Sequence, residues 1–179
     1  EILLPQALAD LAECPEFRLV RSLPEAQTAC EAGQLYCFLS AESLASIGSD
    51  LSSISRLYEA GVRSAMLTWN EKTLLAAGAG CDPGKGLTDL GRQAIRQMES
   101  LGMLVDVSHL NCRGFWDVID AAGGPVIASH SNCRSLCDVP RNLTDSQLRA
   151  IRDTGGVVGV NSYHGFVHRD PDLQTAETL

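Results

Sequence analysis

The chain has 179 residues, 45% of them hydrophobic and 20% charged, an ordinary globular balance and enough for one domain with a real core. Its net charge of -8 and pI near 4.9 argue against nucleic acid or an anionic membrane surface as partner, because both need a basic face. No apolar run approaches the roughly 20 residues of a membrane span. No signal peptide is visible in a sequence that opens at Glu1, and a cytoplasmic location is the expectation. The seven cysteines (Cys14, Cys30, Cys37, Cys81, Cys112, Cys133 and Cys137) are odd in number and contain no CxxC. Reduced, mostly buried thiols are expected from them rather than a disulfide framework.

In chain order, Phe17–Ser22 reads as a strand, and Pro24–Gly33 as a short helix ending on glycine. Leu35–Ser40 is the next strand, Leu51–Ala60 the next helix, and Ala65–Trp69 a third strand. Asn70–Gly86 carries Gly78, Gly80, Gly84 and Gly86 and reads as a loop. Thr88 caps a helix through Leu101, in which Leu90, Ala94, Met98 and Leu101 recur at three- and four-residue spacing until Gly102 ends it. Leu104–Ser108 is a strand and Asn111–Ala122 a helix, broken by Gly123, Gly124 and Pro125 before the strand Val126–Ser129. Thr144 and Gln147 form a capping box for the helix Asp145–Asp153, which Gly155 and Gly156 end. Val157–Asn161 is the last strand, and beyond Tyr163 no element stands out.

Six strands, each but the last followed by a helix, mean a parallel sheet with helical crossovers. That leaves an open doubly wound sheet or an eight-fold barrel. A barrel spends roughly 31 residues per unit, so six units need about 186, close to this length. The count fits most of a barrel.

In a barrel the chemistry lies at the carboxyl ends of the strands. Glu42 lies just past the second strand, while the fourth ends in Ser108-His109 and the fifth in Ser129-His130. The two histidines are one strand–helix repeat apart and should stand side by side on one rim. Two imidazoles and a carboxylate suit a borderline cation such as zinc, whose bound water attacks a carbonyl. Glu42 reads equally as a helix-start carboxylate facing the dipole. Asp106, inside a strand, either supports the ligands from behind or pairs with a lysine or arginine. Arg141 can fork onto a substrate carboxylate or form a surface salt bridge. His164 and His168 read as solvated. The Gly78–Gly86 run lacks the GxxxxGK[ST] order, so nucleotide binding is rejected.

Four motifs carry a resemblance: LTWN (Leu67–Asn70), GLTDLGRQAIRQMESLGMLVDVSH (Gly86–His109), PVIASHSNCRSLCDVPRNLTD (Pro125–Asp145) and GGVVGVN (Gly155–Asn161). With them the chain, from about Phe17 to Phe166, resembles the membrane (renal) dipeptidase family of zinc peptidases. The resemblance implies a metal-dependent TIM (β/α)8 barrel, here about six of eight strand–helix units in a single partial domain over residues 1–179. It implies hydrolysis of a small dipeptide by a metal-bound hydroxide at a two-zinc centre. Glu42 would bridge the metals, His109 and His130 would complete one metal position, and Arg141 would hold the substrate carboxylate. Trp69 and Asn70 fall on the substrate side; relatives resembling the mammalian enzymes place a histidine where Trp69 stands, as many bacterial members do not.

Departures accompany the match. The family's first-strand HxD pair for the other metal has no counterpart at a strand end here (the HxD at His168–Asp170 falls in the polar tail), its proton-handling Asp in a GxDFDG motif has no counterpart, and Glu42 is followed by Ser43 rather than Gly. The expectation is the middle of a bacterial-type dipeptidase, incomplete at both ends, weak in metal binding and nearly inactive alone. Another amidohydrolase-like metal hydrolase, or a degenerate non-catalytic barrel, are the alternatives. Open sheet edges make a homo-oligomer or other partner chain conceivable.

Overall fold

The computed structural model describes residues 3–178. Its elements are α1 (Leu3–Glu13), β1 (Phe17–Leu19), α2 (Leu23–Glu31), β2 (Leu35–Cys37), β3 (Leu39–Ala41), α3 (Ser52–Glu59), β4 (Val62–Met66), α4 (Asp89–Ser100), β5 (Leu104–Asp106), α5 (Cys112–Ala121), β6 (Val126–Ile127), α6 (Asp145–Asp153) and α7 (His164–Val167). Single 3-10 turns lie at Ala45–Ile47 and Pro171–Leu173.

The helices begin where short polar side chains satisfy free amides. Ser22, Thr88, Asn111 and Thr144 each accept a hydrogen bond from the backbone N–H three residues on, and Gln147 returns the bond to the amide of Thr144. Each of α3 to α6 then turns an apolar stripe inward: Ile54; Ala94, Ile95 and Met98; Phe115 and Val118; Ile151. These meet Val105 and Val126 from the strands, and Leu67 and Val107 just past them, in one continuous core. At about 1.5–3 kcal/mol per large side chain buried, that contact is what holds short strands of two to five residues in place. A smaller cluster of Val20, Ala26 and Ala29 sits under β1.

Every strand pairing is parallel, with β1 on β2 and the order β3-β4-β5-β6. Strands adjoin in chain order with no reversal. A doubly wound sheet reverses at a switch point, whereas a barrel wall advances one strand at a time. The chain is therefore an arc of a TIM-type barrel, with helices outside.

Several elements differ from the sequence reading. The strand expected over Leu35–Ser40 is two: β2 pairs with β1 and β3 with β4, with a register shift between Leu39 and Ser40. One strand thus turns from one neighbour to the next across Phe38. The third strand starts earlier, at Val62, and stops at Met66, where Thr68 Oγ1 donates to the carbonyl of Glu71 and curls the chain outward. The strand expected over Val157–Asn161 is reduced to a parallel bridge between Val158 and Ala128, since no strand pairs with its other edge among the described residues. Gly159 lets this segment approach: a Cβ there would stand 2.1 Å from the carbonyl oxygen of Ser129. Helices α1 and α7 arise where none was expected. The thiols are all free, but only Cys137 is buried, while Cys14, Cys30 and Cys112 are exposed. Among the described residues no helix is long and apolar enough to cross a membrane.

Candidate metal centre

Three strands deliver three side chains to one point. Glu42 follows β3, His109 lies three residues past β5, and His130 three past β6. His109 Nε2 lies 3.2 Å from Glu42 Oε1 and 2.9 Å from His130 Nε2, and His130 Nε2 lies 3.6 Å from the same Glu42 oxygen. His109 is 5% exposed, while the Glu42 carboxylate faces open space.

His109 reaches this point through backbone strain. Its φ of 75° is the only positive φ at a non-glycine among the described residues. The left-handed region costs an L-residue roughly 1–2 kcal/mol, which neighbouring contacts must offset. Here the carbonyl of His109 accepts from the amide of Ala79 at 2.7 Å, and Leu110 pairs with Gly78. The glycine-rich loop is thus a brace for the histidine. Gly78 presses on the Trp69–Asn70 backbone so closely that a Cβ would lie 2.3 Å from the carbonyl oxygen of Trp69.

The imidazoles are also aimed. Asn70 Oδ1 lies 3.0 Å from His109 Nδ1 and, being an acceptor, fixes the proton there, so the Nε2 lone pair points into the cluster. Ser129 Oγ lies 2.8 Å from His130 Nδ1 and can follow either tautomer of that ring. Burial, with the nearby Arg141 cation and then His130 adding to it, holds the His109 pKa down at about 3. Burial and Arg141 push His130 down too, partly opposed by Asp106 and Glu42. Both rings are therefore biased toward the neutral form that binds metals. Glu42, His109 and His130 have their donor atoms within 4.8 Å of one another, a group that could hold a metal ion, and two neutral imidazoles with a carboxylate fit a borderline one.

A cavity of about 650 Å³ opens beside the cluster. It is lined by Glu42, Trp69, Asn70, His109, His130 and Arg141, so the six residues given a metal or substrate role in the sequence meet there. Burial lowers the Arg141 pKa to about 10, with Asp106 and Glu42 opposing, which leaves it a cation at neutral pH. Its guanidinium lies 5.5 Å from the centroid of Phe166. Buried Asn142 sets this corner, donating to the carbonyls of Cys137 and Phe166 at 2.8 and 2.9 Å. Tyr163 and Phe166 also line the cavity and were missed; two aromatics three apart in a polar stretch were the available signal. His164 and His168 stay outside, bonded to Gln174 and the amide of Asp170. Among the described residues Asp106 meets no lysine or arginine by hydrogen bond; it accepts backbone amides instead.

The fold and the cluster together define the class: a parallel α/β barrel with a His-His-Glu set at the carboxyl ends of its strands. The model of the membrane dipeptidase family (peptidase family M19) matches residues 8–178, and the chain belongs to that family. It is 44% identical over 123 residues to an uncharacterized protein in the pqqA 5' region of Klebsiella pneumoniae, covering 65% of this chain and 45% of that one. It is 35% identical over 140 residues to an uncharacterized dipeptidase of Schizosaccharomyces pombe, covering 77% and 34%. Among solved structures, a Rhodobacter sphaeroides metallopeptidase liganded with a phosphinate mimic of L-Ala-D-Ala superposes with TM-score 0.85 at 31% identity, covering 93% of this chain and 49% of that one. Dipeptidase AC, a family M19 metallopeptidase, gives 0.87 at 31%, covering 94% and 52%. The chain thus spans about half the length of the solved relatives and less of the curated ones.

Proposed function

We propose that this chain supplies the carboxylate-bridged half of a two-zinc dipeptidase centre. The observation that carries the reading is the convergence of His109 Nε2, His130 Nε2 and Glu42 Oε1 on the wall of a cavity that also holds Arg141. His109, His130 and Glu42 would hold zinc, with the Glu42 carboxylate open on its outer side to serve a second ion. Zinc bound there supplies a positive charge that polarises a carbonyl and acidifies water.

The protein's own part is positioning. Arg141 pairs with the C-terminal carboxylate of a dipeptide, and its reduced hydration in the half-buried corner strengthens that pairing. Holding a short substrate by its end sets the distance from carboxylate to scissile carbonyl and so selects length. Trp69, stacked beside His109 with ring centroids 5.5 Å apart, and Phe166 form apolar walls that exclude water from the bound peptide. The metallopeptidase of Rhodobacter sphaeroides, bound to a dipeptide mimic, supports this substrate class.

Glu42 is the only carboxylate lining this cavity among the described residues, and it is committed as a ligand. With no HxD pair at a strand end and no second carboxylate lining the cavity, among the described residues, to handle a proton, the 179-residue chain alone is expected to bind zinc weakly and turn over little. The test is zinc calorimetry on the chain and on Glu42→Ala, His109→Ala and His130→Ala, with dipeptide hydrolysis assayed in parallel. Loss of zinc binding in each variant is expected. Equal affinity in all four proteins removes the site assignment, and robust hydrolysis by the chain refutes its dependence on further residues.

A further inference from the structure

The buried carboxylate of Asp106 has no place in the ligand set. It ends β5, is 0% exposed, and uses one oxygen twice. Asp106 Oδ1 accepts from the amide of Ser108, just past its own strand, at 2.9 Å and from the amide of Ser129 on the extension of β6 at 3.1 Å. Ser108 and Ser129 are the residues immediately before the two histidines. A third bond completes the link, from the amide of His130 to Ser108 Oγ at 3.2 Å. The other oxygen, Oδ2, is buried with no hydrogen-bond partner among the described residues. An unsatisfied buried carboxylate oxygen costs stability, so this position is not explained by stability alone. Its negative charge also favours the Arg141 cation across the cavity wall.

We propose that Asp106 is a positioning residue for the ligand pair: one carboxylate oxygen ties the strand ends carrying His109 and His130 into a single unit and so sets the separation of their Nε2 atoms. The last backbone bond between the two strands runs from the amide of Val107 to the carbonyl of Ile127 at 2.8 Å, two and three residues before the ligands. Beyond that point, without Asp106 and Ser108, the two rims would move independently. A charged acceptor suits the task, since bonds from N–H to a carboxylate are about twice as strong as neutral ones.

The proposal rests on the zinc reading only for its effect on affinity, so the experiment has two arms on the full chain. In the first, without metal, 15N spectra of the imidazoles are recorded for wild type, Asp106→Ala, Asp106→Asn and Ser108→Ala. The expected result is graded: both histidines shift most in D106A and less, in the same direction, in D106N, while S108A shifts His130 far more than His109. Superimposable imidazole signals in D106N and D106A overturn the proposal. If D106A does not fold, D106N alone decides. In the second arm, calorimetry with zinc compares wild type, D106N and H109A. D106N is expected to lose about 10- to 100-fold in affinity, the usual cost of removing a group that orients a ligand. D106N binding like wild type while H109A has lost zinc overturns the role in affinity. H109A binding like wild type instead refutes the zinc reading, and the imidazole spectra still decide whether Asp106 positions the pair.

Discussion

Replacing Gly159 with alanine tests whether the segment behind His130 is part of the site's scaffold. A Cβ at this position would lie 2.1 Å from the Ser129 carbonyl oxygen and 3.0 Å from its carbon, both backbone atoms that no rotamer change can move. The two chains must part by roughly 1 Å before that contact becomes tolerable. Parting them weakens two bonds, from Gly159 N to the Ala128 carbonyl at 2.8 Å and from Ser131 N to the Gly159 carbonyl at 2.9 Å. With about 1–3 kcal/mol for overpacking and about 1 kcal/mol for each bond, G159A should lose about 3–5 kcal/mol. Because Ser129 and Ser131 flank His130, the same displacement should move that histidine and, on the proposed zinc reading, lower zinc affinity. Urea denaturation followed by far-UV circular dichroism gives the stability, and calorimetry the affinity. A variant within about 0.5 kcal/mol of wild type would refute the close packing drawn for this segment.

Acid should destabilise the fold through His109. Its folded pKa, about 3, lies below the ordinary 6.5, so between those values the unfolded chain binds a proton that the folded chain does not. The stability present above pH 6.5 is lost as pH falls, at a slope approaching about 1.4 kcal/mol per unit. Urea midpoints of metal-free wild type and His109→Gln at pH 7.5, 5.5 and 4.5 should show wild type losing more, and parallel losses would contradict the burial argument. Asn142→Ala leaves the Cys137 and Phe166 carbonyls without their buried donor, and about 2–3 kcal/mol should be lost in urea denaturation together with ordering of the Tyr163 ring signals by NMR. Thr144→Ala removes the cap of α6 and should lower stability by about 1 kcal/mol, read as a drop in Tm by calorimetry, with zinc affinity unchanged.

Much of the site was legible because barrel chemistry falls at a repeating place in the strand–helix unit. The intervals from strand to Glu42, to His109 and to His130 are set by local patterns, and the hydrophobic runs and caps locate them. What escaped depends on contacts between distant segments. The left-handed turn at His109 follows from a bond to Ala79, thirty residues upstream, which no local pattern records. The division of Leu35–Ser40 into β2 and β3 follows from having different neighbours along its length, although the run itself is uniformly strand-like. Asp106 was open between an ion pair and a supporting role; backbone amides are invisible in a list of side chains. Helix α1 was a readable omission, since Leu4, Ala7, Leu8 and Leu11 follow helical spacing.

The positive φ of His109 narrows which residue types can stand at this corner. Among residues with a donor side chain, histidine, asparagine and aspartate enter the left-handed region most readily. Evolution exploring this position under the same backbone therefore draws from nitrogen and oxygen donors before sulfur. The loop that braces His109 acts in this way as a filter on side chains, set by the shape of the backbone.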